Sequence, residues 1–555
     1  MSGAYTSDFA LLNDTFWVDL LSQRDVSAQV PINFVARPSI ALTAACFGDN
    51  SYNGDAASLC LSDLLTVGYF RFIIDVYWSH QNLQWLLCPV SFPTSNASNG
   101  SEYTLGSYTC SNSFSITTLL DVLNNYIQDT NSELESTFLH VIINMHAAAD
   151  SDNPDGPAPS LSAASLPSES SLLGTVADKV MGSYIYTPPE LAQERRDLNK
   201  SWFHDTKMWT TVLSDYFTTV NDAHGVQSTP DGWPCESYLI NKASKRLLFG
   251  RGSVDPQLQS YNFTGDDAFI FPSDDVEDII SVSNTPDGSG LQSGCFFNPR
   301  NTNLQNVNNS WALASVNTSY SSFLLQNYTS CGISPLVNET LYGQTADANI
   351  DPYRNLSMSA TWSWAVGEPR NATSLPGYTE LTDTSEVLRC AMMDPSSGGH
   401  WRAGNCSDEY RAACRVTNEP YLWTLSEDTH SFSGSSNACP SNSFFDVPRT
   451  GLENTYFYHQ AVSEVGSTSA SEPIWVNLNS MDVEYCWVLG GANATCIYTE
   501  GSNDVGHRTI LVPTIAAIII LTITASTIFV KCNSNRRISR RKRVNEGWEY
   551  EGVPS

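Results

Sequence analysis

The sequence predicts an α/β chain: a unit of alternating strands and helices, then a disulfide-linked region, then one transmembrane helix. Three observations carry this. Phe70–His146 reads strand, helix, strand, the unit of a parallel sheet or barrel. From Ser283 that alternation gives way to short Asn-, Ser-, Trp- and Cys-rich segments, as in small disulfide-linked extracellular modules. Finally, Thr509–Val530 (TILVPTIAAIIILTITASTIFV) runs 22 residues without a charge, enough to cross a bilayer as one self-satisfied helix.

Taken in order, VPINFV (Val30–Val35) and SIALTAACF (Ser39–Phe47) read as strands, and LCLSDLLTVGY (Leu59–Tyr69) as a helix leading into FRFIIDVYW (Phe70–Trp78), the strongest strand. WLLCPV (Trp85–Val90) can pair beside it after the polar turn His80–Asn82. SITTLLDVLNNYIQDT places Ile116, Leu119, Leu120, Leu123 and Ile127 at helical spacing behind Ser115 as N-cap. FLHVIINMH (Phe138–His146) is the next strand. Residues 150–171, rich in Pro, Ser, Ala and Gly, read as an insertion without fixed structure. Trp202–Thr219 reads as a helix, WPCESYLINKASKRLLFG (Trp233–Gly250) as a short helix and a strand, and PIWVNL (Pro473–Leu478) as a further strand.

Charge and cysteine usage set the sides of the membrane. The chain has 28 Lys and Arg against 58 Asp and Glu; seven of the former and three of the latter lie from Lys531 onward, leaving net −34 before it. Such a body repels nucleic acid and anionic surfaces. The basic tail belongs in the cytosol, which places the body in the lumen or outside the cell. Thirteen of 14 cysteines precede the helix, as befits an oxidising compartment, and an odd number leaves one unpaired. Acceptor sequons for glycans stand at Asn13, Asn96, Asn99, Asn199, Asn262, Asn308, Asn317, Asn327, Asn338, Asn355, Asn371, Asn405 and Asn493. The amino terminus, MSGAYTSDFALLNDTF, has neither the basic start nor the apolar core of a signal peptide. A tail-anchored protein with a cytosolic body is the competing topology; the positive tail and the cysteines argue against it, so a signal preceding residue 1 is expected.

Four fragments, GYFRFIIDVYW (Gly68–Trp78), Ser115–Thr130, Phe138–His146 and Trp233–Gly250, resemble in order the barrel of phosphatidylinositol-specific phospholipase C enzymes, over about Asp25–Ser273. The resemblance implies a TIM-barrel-like fold and, in that family, two histidines acting as general base and acid. Here Val30–Phe47 contains no histidine, and the second position falls at Leu87, Cys88 and Pro89. His146 and Asp75, late on their strands where barrel enzymes keep active groups, are the catalytic candidates. The non-catalytic alternatives are a strand-end histidine bonded to a neighbouring loop and a carboxylate that fixes an Arg or backbone amides. His80 reads as a solvated turn residue. No catalysis and no cofactor are expected.

WSWAVGEP (Trp362–Pro369), with Cys390, Trp401, Cys406 and Cys414, resembles the second half of a C-type lectin domain, an α+β fold. This implies a Cys390–Cys406 disulfide, with Cys414 joined to an earlier cysteine such as Cys331 or Cys295. The calcium-ligating triplets of that family read Glu368-Pro369-Arg370 and Trp401-Arg402-Ala403 here, so calcium is not expected. Cys486 and Cys496 form a further candidate pair.

Ser22–Gly48, the barrel fragments, the lectin-like segments, SMDVEYCWVLGG (Ser480–Gly491) and the terminal membrane helix together resemble the fungal maintenance of telomere capping protein 6 family. The implied organisation is an N-terminal segment (1–24), a phospholipase C-like barrel (25–282) with the insertion 150–171, a C-type-lectin-like region (283–417), a membrane-proximal region (418–508), the transmembrane helix (509–530) and a basic cytoplasmic tail (531–555). The expected protein is a single-pass type I membrane glycoprotein, not an enzyme. An indirect part in telomere capping follows, through a lumenal protein or glycan partner and without direct contact with nucleic acid. The competing function is a divergent phosphodiesterase acting on phosphatidylinositol or glycosylated lipid anchors.

Overall fold

A computed structural model of the chain describes residues 4–6, 8–93, 102–205, 215–287, 290–316, 323–371, 387–465 and 472–500. It separates into two compact units, Met1–Cys496 and Ile497–Ser555, the second described only over the helical turn Ile497–Glu500. The predicted span Thr509–Val530, the basic tail, the sequons at Asn96, Asn99 and Asn317, and half of the helix expected over Trp202–Thr219 (206–214) lie outside the described residues. Among the described residues, no helix is long and apolar enough to cross a membrane.

The first unit is built on a mostly parallel sheet of nine strands: β1 (Ser39–Ala41), β2 (Arg71–Ser79), β3 (Gln84–Leu86), β4 (Leu139–Ala147), β5 (Leu247–Val254), β6 (Ile270–Phe271), β7 (Asp278–Ile279), β8 (Ala312–Ser315) and β9 (Ser334–Val337). Their order is β6-β5-β4-β2-β1-β9-β8-β7, with β3 antiparallel against β2. The end strands β6 and β7 show no pairing with each other among the described residues, so the sheet curls as an incomplete TIM-type barrel.

Strand alternation explains the layers. One face of the sheet (Phe72, Ile74, Val141, Ile143, Phe249) packs on helices α1 (Gly54–Thr66) and α2 (Ile116–Asp129). The other face (Ile73, Ile142, Leu248) packs on Trp233, Trp311 and Phe271 inside the curl. Helix α2 buries Ile116, Leu119, Leu120, Leu123 and Ile127, the stripe expected from its sequence, and Ser115 closes a capping box with Thr118. Each such fully buried aliphatic side chain contributes about 1.5–3 kcal/mol.

A second sheet has seven strands: β10 (Cys390–Asp394), β11 (His400–Gly404), β12 (Arg411–Val416), β13 (Trp423–Leu425), β14 (Ser443–Phe445), β15 (Ile474–Asn479) and β16 (Val488–Leu489). Its order is β11-β10-β15-β12-β13, with β14 on β12 and β16 on β15. The long helix Gly451–Val465 packs its Leu452, Tyr456 and Phe457 into this sheet's core beside Trp401, Trp423 and Val476.

Several expectations need correction. Val30–Val35 is not a strand: Pro31 leads into the turn Ile32–Phe34, and Ile32 N–H donates to Pro234 O at 3.0 Å. In Ser39–Phe47 only the first three residues are strand, and Leu42–Phe47 is a helix. The barrel does not stop at 282, since β8 and β9 re-enter its sheet beside β1. Nor does a separate region begin at 418, because β15 pairs with both β10 and β12. Residues 150–171 have fixed structure: Trp78 and Trp85 indoles donate to Ser165 O (2.8 Å) and Ser171 O (2.9 Å), and Asp155 accepts from Ser107. Among the described residues the cysteines pair as Cys46–Cys60, Cys88–Cys110, Cys295–Cys331, Cys390–Cys406, Cys414–Cys439 and Cys486–Cys496, leaving buried Cys235 as the free thiol there. Cys414 therefore joins a later cysteine, not Cys331 or Cys295. The antiparallel β12–β14 pair sets Cys414 opposite Phe445 and carries Cys439 to within 5.6 Å (Cα–Cα).

Candidate functional site

The carboxyl ends of the parallel strands bring the two predicted candidates together. Register pairs Asp75 with Asn144 and Tyr77 with His146, so all four side chains project from one face of adjacent strands β2 and β4. His146 Nε2 lies 3.4 Å from Asp75 Oδ1, and its Nδ1 lies 3.0 Å from Oδ1 of Asp255, the residue that follows β5. Asp255 also accepts from the Ala147 amide at 3.2 Å, and Tyr77 stacks on the imidazole with centroids 5.0 Å apart.

Asp75 is held from three sides. Thr43, just after β1, donates to Oδ2, and Asn144 Nδ2 donates to Oδ1 at 2.8 Å. Asn144 is itself fixed by the Ser253 amide donating to its Oδ1 at 2.8 Å. Gly252 makes the room for this, since a Cβ there would stand 2.3 Å from Asn144 Oδ1.

Burial alone raises a carboxyl pKa, yet the hydrogen bonds from His146, Thr43 and Asn144 outweigh it and hold Asp75 below the ordinary carboxylate range. For His146 burial works against the charged ring, and the two carboxylates more than offset it, so its pKa is raised. The result is an imidazole held between two carboxylates that favour its charged form, at a partly solvated sheet end: Asp75, His146 and Asp255 side chains are 21, 24 and 32% exposed.

The sequence pointed to His146 and Asp75 and missed Thr43, Asn144, Tyr77 and Asp255. The readable signal for Asp255 was its place immediately after a late barrel strand. His80 is tied to its surroundings, with Nε2 3.5 Å from Asp150 Oδ1. At the position of the resemblance's second histidine, Leu87 and Cys88 are buried and Cys88 is consumed in a disulfide.

In the second sheet, the oxygens that a cation could use are engaged by guanidinium groups. Glu368 meets Arg370 Nε at 2.8 Å and Arg402 Nε at 3.6 Å, and Arg402 Nη1 meets Asp394 Oδ2 at 3.0 Å. Beneath them Trp362, Trp364 and Trp401 pack edge to face, and the Trp401 indole donates to Asn454 at 3.0 Å.

A family model described as the MTC6 partial TIM-barrel domain matches residues 11–363 of the chain. Curated proteins named "Maintenance of telomere capping protein 6" are similar over most of its length. The one from Candida albicans (strain WO-1) is 26% identical over 614 residues, covering 99% of this chain and 96% of the relative. The one from Saccharomyces cerevisiae (strain YJM789) is 25% identical over 455 residues, covering 79% and 75%. Among solved structures, a calcium-dependent phosphoinositol-specific phospholipase C from a Gram-negative bacterium, Pseudomonas sp, aligns at 9% identity and a TM-score of 0.27, covering 61% of this chain and 98% of that one.

Proposed function

The chain belongs to the family of the MTC6 partial TIM-barrel domain, and on that premise we propose that it serves telomere capping as a binding protein: a single-pass type I membrane glycoprotein whose body faces the lumen or the cell exterior and does not catalyse. The carrying observation is the clamped His146. Both ring nitrogens are taken by carboxylates, and no Lys or Arg makes an ion pair with Asp75 or Asp255 among the described residues. A phosphodiester at this mouth meets two carboxylates, and a like-charge contact at 4 Å costs about 4 kcal/mol at an effective dielectric of 20. A neutral or cationic partner fits such a mouth better.

The side of the membrane is supported by several features. The body has six disulfides and net charge −34. All ten sequon asparagines among the described residues are exposed or half-exposed, whereas Asn33, Asn309, Asn454 and Asn479, which start no sequon, are buried. The uncharged run Thr509–Val530 followed by seven basic residues supplies the anchor and its orientation. With such a body held away from chromatin, the capping role is indirect. We read residues 359–416 as a lectin-like module in which Arg402 pairs with the Glu368 and Asp394 carboxylates, and therefore as a surface for protein or glycan that is independent of calcium.

A second reading, a divergent phosphodiesterase, is favoured by the histidine–carboxylate cluster at the strand ends, where barrel enzymes work. One experiment separates them. Purified full-length protein is incubated with vesicles of phosphatidylinositol and with a glycosylated-anchor substrate. The binding reading expects no product; hydrolysis that disappears in His146→Ala or Asp75→Ala overturns it. Endoglycosidase treatment of the protein from its own cells should increase its mobility, and an unchanged band would overturn the lumenal placement.

A further inference from the structure

The two most exposed large apolar side chains among the described residues, Val366 at 99% and Tyr342 at 89%, line one groove. It encloses about 1270 Å³, between the helix Asp351–Ser359 with the turn at Tyr342 on one side and the loop 364–368 on the other. That exceeds the roughly 300–1,000 Å³ of small-molecule sites and suits an oligomeric ligand. Tyr342 holds a left-handed backbone at φ 51°, a costly conformation for an aromatic residue, which keeps its ring in the open. Apolar surface presented in this way signals an occupant.

The chemistry of the walls narrows the occupant. No Lys or Arg lines the groove among the described residues, so phosphate and acidic ligands find no countercharge. Its polar lining combines amides and hydroxyls, including Gln326, Asn349 and Thr340, with the carboxylates of Asp19, Glu339, Asp351 and Glu368 and the His400 imidazole, all groups that can hydrogen-bond a sugar hydroxyl. An apolar platform rimmed by hydrogen-bonding groups matches a pyranose, whose C–H face is apolar and whose rim is hydroxyl. The source of such a ligand is in the wall itself. Asn355 lines the groove, is exposed, and begins the acceptor sequence Asn355-Leu356-Ser357.

We propose that Asn355 carries an N-linked glycan and that this glycan lies along the groove against Tyr342 and Val366, bracing the helix Asp351–Ser359 against the loop of the second sheet. This rests on the lumenal placement of the body. In the modification the Asn355 amide nitrogen bonds the anomeric carbon of an oligosaccharide carried on a lipid diphosphate. The carbon–oxygen bond to the diphosphate breaks, the amide gives up one proton, and the lipid diphosphate leaves. The Ser357 hydroxyl is buried in the fold, so transfer precedes formation of the helix.

The test compares full-length protein from its own cells with Asn355→Gln, with the double variant Tyr342→Ala/Val366→Ala, and with all three changes together, using Asn199→Gln as a control that loses a sequon elsewhere. Mass spectrometry of peptides reads occupancy and thermal unfolding reads bracing. The expected result is an occupied Asn355, a Tm lowered by a few degrees in Asn355→Gln but not in Asn199→Gln, and a triple variant no less stable than the worse of its parents, because all act through one contact. An unmodified Asn355 beside other occupied sequons overturns this proposal alone, as do additive losses in the triple variant. If no sequon is occupied, the lumenal placement falls with it.

Discussion

Asp75 and His146 show how two ionisable groups set each other's charge. Asp75, depressed by its three hydrogen-bond donors, contributes stability above the usual carboxylate range that is lost as pH falls through its folded value. His146, raised by two carboxylates, contributes stability that is complete below about 6.5 and lost as pH rises through its higher folded value. The clamp is therefore strongest between those limits. In a pH titration followed by NMR, the His146 ring should lose its proton above the ordinary histidine range, and Asp255→Asn should lower that midpoint. A midpoint unmoved by Asp255→Asn would mean that the Nδ1 contact is not made. Only Asp75 and His146 of this site were legible in the sequence, because strand-end position is a local property that both display. Thr43 and Asn144 were not, because only the register of β1, β2 and β4 brings them to Asp75 and His146, and Asp255, although its place after a late strand was readable, becomes their partner only through the register of β5 on β4.

Elements were legible where a period ran long enough to speak. The nine-residue strands Arg71–Ser79 and Leu139–Ala147 and the helix Ile116–Asp129 lie where the periodicity put them. The four-residue strands β8 and β9 were not, since each is buried within Asn- and Ser-rich text and shows no alternation to read. The lectin resemblance led to the wrong partner for Cys414 for a related reason: the strand that delivers Cys439, β14, is only three residues long. The Cys414–Cys439 bond closes 25 residues of chain, so Cys439→Ser should cost about 3 kcal/mol through greater freedom of the unfolded state. Denaturant titration under non-reducing conditions measures it. Peptide mapping should find Cys414 free in that variant and Cys295–Cys331 intact; recovery of a Cys414–Cys331 peptide from the wild-type protein would contradict the pairing.

At the scale of the molecule, residues 1–496 are one unit although the sequence divides at 282 and 417. The division fails because helix Asp14–Ser27, the first long element of the chain, is bonded into its late residues. The Trp364 indole donates to Ser22 at 2.8 Å, Ser363 Oγ donates to Asp19 at 2.9 Å, and Ser27 Oγ donates to Arg449 O at 2.8 Å. A buried ion network completes the join. Arg415 on β12 meets Asp446 at 2.7 Å and Asp215, from the barrel half of the chain, at 3.0 Å, while Arg449 meets Asp446 at 3.0 Å. Replacing Arg415 by Met leaves Asp215 without its cation and Asp446 with only one. Breaking a buried pair from one side costs about 3–5 kcal/mol. If the two sheets unfold as one body, that loss must appear equally in a probe of each. Tryptophan fluorescence reports both sheets, so hydrogen exchange at β4 and at β15 should resolve them, and both should lose protection by the same amount in Arg415→Met. Loss confined to β15 would mean that the sheets open separately and that the network is local to the second sheet. Equal loss would make the barrel mouth and the second sheet parts of one cooperative structure, so that a partner bound at either stabilises both.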